Sequence, residues 1–140
     1  MAIEKTVDRP DSRYDNEIIE KLSALAENCS RINPELYSKY EVKRGLRDIS
    51  GRGVLAGLTE IGEVHSYIID ENEMIPIPGK LFYRGIDIDD IVEGFLKDGR
   101  MGFEETCYLL LFGKLPDRSS LESFEGLLAE YRTLPRGFVR

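Results

Sequence analysis

Gly79-Lys80-Leu81-Phe82-Tyr83-Arg84-Gly85-Ile86-Asp87-Ile88-Asp89-Asp90-Ile91 is the stretch on which the reading of this chain turns. Leu81 to Tyr83 is a short apolar strand that runs into Arg84-Gly85. The chain then enters a helix with Asp87 as its cap, a short carboxylate placed to accept an unpaired first-turn amide. Asp90, three residues on, can reach back as a short form of the capping box. Ile88, Ile91, Val92 and Phe95 fall at i, i+3, i+4 and i+7, which is one helical face. The sequence before this stretch predicts a small sheet, and the sequence after it predicts helix.

Downstream, Lys97 to Gly102 is a loop. Phe103 to Phe112 is apolar on nearly every side, the mark of a helix buried on most of its surface. Gly113 ends it, Leu115 supplies the accompanying apolar contact, and Pro116 forbids continuation. Asp117 caps a last helix that buries Leu121, Phe124, Leu127, Leu128 and Tyr131, and Leu134-Pro135 stops it.

Upstream, Glu63 to Asp70 alternates and is rich in β-formers, so it predicts a strand. Asp70-Glu71-Asn72-Glu73 is a turn. Met74 to Ile77 returns as a second strand, which Pro76 and Pro78 confine to an edge or stop early. Together with Leu81 to Tyr83 this makes a small antiparallel sheet in a mainly α protein. Nearer the N-terminus, Asp15 or Asn16 caps a helix whose Ile18, Ile19, Leu22, Leu25, Ala26 and Cys29 form one stripe. Asn33-Pro34 starts a short helix to about Lys39. Gly45, Gly51, Gly53, Gly57 and Gly62 then punctuate an arm that can hold no long helix. Residues 1 to 14 are polar, without period, and form a disordered or loosely attached lead.

The chain has 140 residues, enough for one domain with a modest core. Its net charge of −7 argues against a sequence-independent hold on nucleic acid, which needs a basic face. No run approaches the roughly 18 apolar residues of a membrane span, and Met1 to Asp8 lacks the apolar core of a signal peptide. Cys29 and Cys107 fit no metal or redox spacing, so both thiols are expected to be reduced and the chain cytoplasmic. Cys29 reads as a small core residue rather than a reactive thiol.

Candidate chemistry is sparse. His65 is the single histidine, the residue type that most often moves protons at neutral pH. It sits between Val64 and Ser66 in a predicted strand, and the structural reading is preferred. Asp87, Asp89 and Asp90 resemble a hard-cation site, but capping and the helix dipole explain them more simply. No zinc shell, calcium loop or phosphate-cradling glycine motif is present. Ser119-Ser120 has no base partner and fills the first turn of a helix. The one locally basic segment runs from Lys39 to Arg52, where Lys39, Lys43, Arg44, Arg47 and Arg52 face Glu41 and Asp48.

Tyr83-Arg84-Gly85-Ile86-Asp87-Ile88, followed by Phe103-Glu104-Glu105-Thr106-Cys107-Tyr108-Leu109-Leu110-Leu111-Phe112-Gly113-Lys114-Leu115-Pro116, resembles the N-terminal part of citrate synthases. Their pattern is a strand, YRG, an acid-capped helix, then FEE…YLLLFG.LP. The resemblance runs from about Leu46 to about Pro135, well under half of a usual family chain. It implies a citrate-synthase-like fold whose helical domain begins at residue 15 and is cut at Arg140 before the catalytic residues. The parent would condense acetyl-CoA, or another short acyl-CoA, with oxaloacetate. In the family a carboxylate takes a proton from the acyl methyl group, two histidines serve the carbonyls and arginines clamp the oxaloacetate.

None of those groups matches a position here, so no catalytic residue, no metal site and no bound cofactor is expected, with acyl-CoA a substrate of the parent alone. Gly45-Leu46-Arg47 resembles an arm step that lies close to the CoA phosphates in some members, which makes Arg47 the candidate CoA contact. A solvated basic loop accounts for Arg47 as well, and for Arg44 and Arg52 better. The alternative from another class is a free-standing, non-catalytic helical interaction or oligomerisation module on the same scaffold. In either case the uncovered apolar helix predicts self-association, with exchange of the N-terminal helix across the 45–62 arm as one route.

Overall fold

A computed structural model of the chain describes residues 16–43, 45–47, 53–71, 73–132, 134 and 138. The 1–14 lead, Asp15, Arg44, the 48–52 stretch with Arg52, Asn72 and Pro135 lie outside them. The elements in order are α1 (Asn16–Cys29), α2 (Glu35–Lys39), β1 (Gly62–Asp70), β2 (Glu73–Tyr83), β3 (Ile86–Asp87), α3 (Ile88–Lys97), α4 (Phe103–Phe112) and α5 (Arg118–Tyr131). The chain is mainly helical with one antiparallel sheet in the order β1-β2-β3.

Local chemistry sets the helix ends. The Asp87 carboxylate accepts from the Asp89 amide at 3.0 Å, and that of Asp117 from the Ser120 amide at 2.8 Å. Each satisfies a first-turn donor that has no partner within its helix. At α2 the Asn33 side chain accepts from the Glu35 amide at 3.0 Å, the bond that an Asn cap followed by a first-turn proline predicts. Gly113 closes α4 with φ +76°, and its amide donates to the Leu109 carbonyl at 2.9 Å. A left-handed cap of this kind costs glycine no Cβ clash.

α4 lies between α1 and α5, and the core forms where the three meet. Tyr108, Phe112 and Phe124 are buried together, with Leu22, Leu25, Ala26, Cys107 and Leu128 packed around them. The three rings are mutually edge-to-face at centroid distances of 4.6, 5.5 and 5.7 Å. This geometry sets positive ring edges on negative faces. Leu109 is fully buried, as is Ile91 of α3 very nearly. Glu104 to Cys107 and Leu110 are partly buried, and two positions of α4 stay open, Phe103 at 68% and Leu111 at 53% exposure. α4 is thus covered on most of its surface, as its composition predicts, but not at Phe103 and Leu111. Tyr131, expected to be buried, is also exposed.

The sheet corrects a second expectation. Pro76 and Pro78 neither end the second strand nor divide it from Leu81–Tyr83, for β2 runs unbroken from Glu73 to Tyr83. β3 pairs only with Phe82 and Tyr83, so at both prolines β2 has one neighbour, β1. A residue without an N–H is tolerated where one side of the strand carries no ladder. The register also shifts between His65 and Tyr67, leaving Ile77, Pro78 and Gly79 opposite Ser66. Pro78 thus falls in a bulge, another place where a missing donor costs little. Both faces of the hairpin are open, with Val64, Ile68 and Ile69 exposed.

Candidate functional site

Arg47 stands in the arm, exposed, in an isolated antiparallel bridge with Gly53. Two further backbone bonds fold the arm on itself, Lys43 N–H to the Leu55 carbonyl at 2.8 Å and Val54 N–H to the Leu46 carbonyl at 3.3 Å. The described part of the basic segment is therefore a small loop whose backbone is partly ordered by its own hydrogen bonds.

His65 lies on β1, half-exposed. Its Nε2 is 2.6 Å from Glu63 Oε1, and its ring stands tilted against Phe82 at 5.4 Å. Neighbours such as these are those of a surface strand residue. The acidic run sits elsewhere, at the start of α3. Lys80 Nζ is 2.7 Å from Asp87 and 3.8 Å from Asp89. Lys80 and the Asp89 amide hold the Asp87 carboxyl below its ordinary value. Asp117 is likewise held low, first by the Ser120 amide and then by the Ser119 and Ser120 hydroxyls. Ser119 and Ser120 thus serve a cap. Among the described residues no group of three or more His, Cys, Asp or Glu is placed to hold a metal ion.

The best-built polar cluster is one that local sequence patterns did not reveal. The Arg84 guanidinium donates through Nη2 and Nε to the Leu110 carbonyl at 2.9 and 3.3 Å, and through Nη1 to the Cys29 carbonyl at 3.3 Å. One cation thereby serves the C-terminal ends of α1 and α4, where unpaired carbonyls and the helix dipoles favour positive charge. Arg84 takes φ +50° and Gly85 φ +80°, the sharp turn that aims the side chain back. Next to it the Cys29 thiol donates to the Phe112 carbonyl at 2.9 Å. A Cβ on Gly113 would lie 2.8 Å from that sulfur, so glycine is required for space as well as for φ. Arg84 is a positioning residue that locks α1 onto α4.

An open groove of about 690 Å³ lies between the α3–α4 loop and the start of α5, and Asp98, Arg100, Glu105, Arg118 and Glu122 are among its lining. Its arginines are already paired, Arg100 with Asp98 at 3.1 Å and with Glu105, and Arg118 with Glu122 at 3.2 Å. Nothing in it joins a nucleophile to a base. No described helix is long and apolar enough to cross a membrane.

Residues 45–140 match the family model described as "Citrate synthase, C-terminal domain". The chain belongs to the citrate synthase family. The match is to a domain called C-terminal, whereas the motif resemblance placed the chain at the N-terminal part. The order of two blocks carries membership, not position within a longer protein. Among curated relatives, 2-methylcitrate synthase 1 of Corynebacterium glutamicum is 32% identical over 102 residues, 73% of this chain and 21% of that protein. Citrate synthase 1 of Mycobacterium tuberculosis is 39% identical over 62 residues, 44% of this chain and 13% of that protein. The chain thus spans about a fifth or less of the citrate synthase relatives it matches. No solved structure matches it significantly.

Proposed function

We propose that the chain is a scaffold portion of a citrate-synthase-type acyltransferase that joins acetyl-CoA, or another short acyl-CoA, to oxaloacetate, and that the chain is inactive by itself. The observation that carries this reading is the Arg84 junction. The arginine of the Tyr83-Arg84-Gly85 block reaches a carbonyl of the Phe103–Phe112 block, so the two family motifs meet as one physical unit. That unit positions helices; it holds no acid, base or nucleophile arranged for carbanion chemistry. Residues 15–140 belong, on this reading, to one helical domain of a cytoplasmic enzyme.

Arg47 is assigned to the CoA phosphates. In a full-length enzyme carrying this sequence, Arg47→Ala is expected to raise the KM for acyl-CoA with kcat little changed, the signature of lost uniform binding. A charge-assisted contact contributes about 1.5–3 kcal/mol when desolvated and less at a surface, so a rise of several-fold is expected. Steady-state kinetics with acetyl-CoA and propionyl-CoA check it, and an unmoved KM returns Arg47 to the solvated loop.

Self-association completes the proposal. Phe103 and Leu111 on α4 and Ile69 on the hairpin are large exposed apolar side chains. Exposed apolar side chains of this size favour a partner, most simply a second copy about a two-fold axis. Light scattering on the purified chain is expected to give a mass above 16.0 kDa that rises with concentration. A constant 16.0 kDa would contradict it. The same exposed surface supports the second reading, a non-catalytic interaction module on the citrate synthase scaffold.

A further inference from the structure

A second groove, of about 260 Å³, opens where α1 crosses the start of α5. Leu22, Leu25, Tyr108 and Phe124 give it an apolar lining, and Lys21 and Lys114 supply its cations. The two lysines differ. Lys21 is paired with Glu17 at 2.7 Å, whereas Lys114 has no ion pair among the described residues. Tyr108 is 4% exposed, and its hydroxyl has no hydrogen-bond partner among the described residues. No side-chain oxygen among the described residues is both sealed from solvent and unpartnered, so the Tyr108 hydroxyl keeps some access to solvent, and Tyr108 is one of the residues lining the groove. A buried tyrosine ordinarily satisfies its O–H, and one that keeps it open at a cavity is a donor awaiting an acceptor. The α5 N-terminus is already capped, with the Asp117 carboxylate accepting from the Ser120 amide.

We propose that this groove binds a medium-chain aliphatic carboxylate. The carboxylate would accept from the Tyr108 hydroxyl and the Lys114 ammonium while the alkyl chain covers Leu22, Leu25 and Phe124. An anion is selected because the groove's one uncommitted charge is positive and its open hydroxyl can donate. A medium chain rather than a long one is selected because the space lies just below the range of roughly 300–1,000 Å³ typical of drug-sized ligands. The site stands on these residues alone and does not depend on the acyltransferase reading.

Isothermal titration of the 140-residue chain with octanoate, octylamine and octanol tests the proposal. Octanoate is expected to bind most tightly. Lys114→Gln is expected to weaken it about tenfold, the scale of one charge-assisted hydrogen bond, and Tyr108→Phe about threefold, that of a neutral one. Lys114 is exposed and Tyr108→Phe keeps the ring, so circular dichroism should show both variants folded. Octanoate binding that octylamine equals, or that Lys114→Gln leaves unchanged, overturns the proposal, as does no octanoate binding at all.

Discussion

Phe124→Ala is expected to remove about 3–5 kcal/mol, the range for emptying a buried aromatic position. Phe124 is 5% exposed and stands edge-on to both Tyr108 and Phe112, so its removal strips two ring contacts as well as apolar area. A domain of this size holds about 5–15 kcal/mol in total, which leaves the variant marginal or unfolded. The control is Phe103→Ala, at a position 68% exposed, where a change within about 0.5 kcal/mol is expected. Urea titrations followed by circular dichroism separate the two. Equal midpoints for both variants would show that the core is not centred on α4.

Arg84→Ala is the second large effect. It leaves the Leu110 and Cys29 carbonyls without their donor in a partly buried place. Hydrogen bonds to charged groups contribute about 1.5–3 kcal/mol, so a loss on that scale is expected. Arg84→Lys should recover little of it, because an ammonium cannot match the planar fork that reaches two helix ends. Hydrogen exchange gives the decisive readout, since protection should fall in α1 before it falls in α5. A uniform loss, or full rescue by lysine, would mean that Arg84 stabilises by charge alone.

These two residues mark where sequence reading succeeds and where it stops. Phe124 was legible because helical period is a local property, and so were the Asp87 and Asp117 caps and the Gly113 stop. Arg84 was legible as a family letter but not as a clamp. Its partners lie 26 and 55 residues away, and no local pattern reports a contact at that separation. Cys29 shows the same limit: expected in the core, it is partly buried at the end of α1, and its hydrogen bond to Phe112 spans 83 residues. The prolines of β2 left an edge or an early stop open, and the strand is unpaired on one side there but not stopped, because their cost depends on whether a neighbour lies on each side, which topology decides. Tyr131 is exposed although the next residue, Arg132, reaches Glu104 of α4 at 3.1 Å, so the last turn of α5 lies beside α4 without burying that side chain, which a helical period alone does not report. Of the candidate site, Arg47 was named from a family step, and its arm turns back on itself as a glycine-rich segment can.

On the proposed reading the chain is a scaffold portion of a citrate-synthase-type enzyme and is inactive by itself. Free CoA release by the purified 140-residue chain, given acetyl-CoA and oxaloacetate together, tests this most directly. The account predicts a rate equal to the blank. Turnover above the blank that disappears in His65→Ala would contradict it, and would make the surface histidine of β1 a catalytic group.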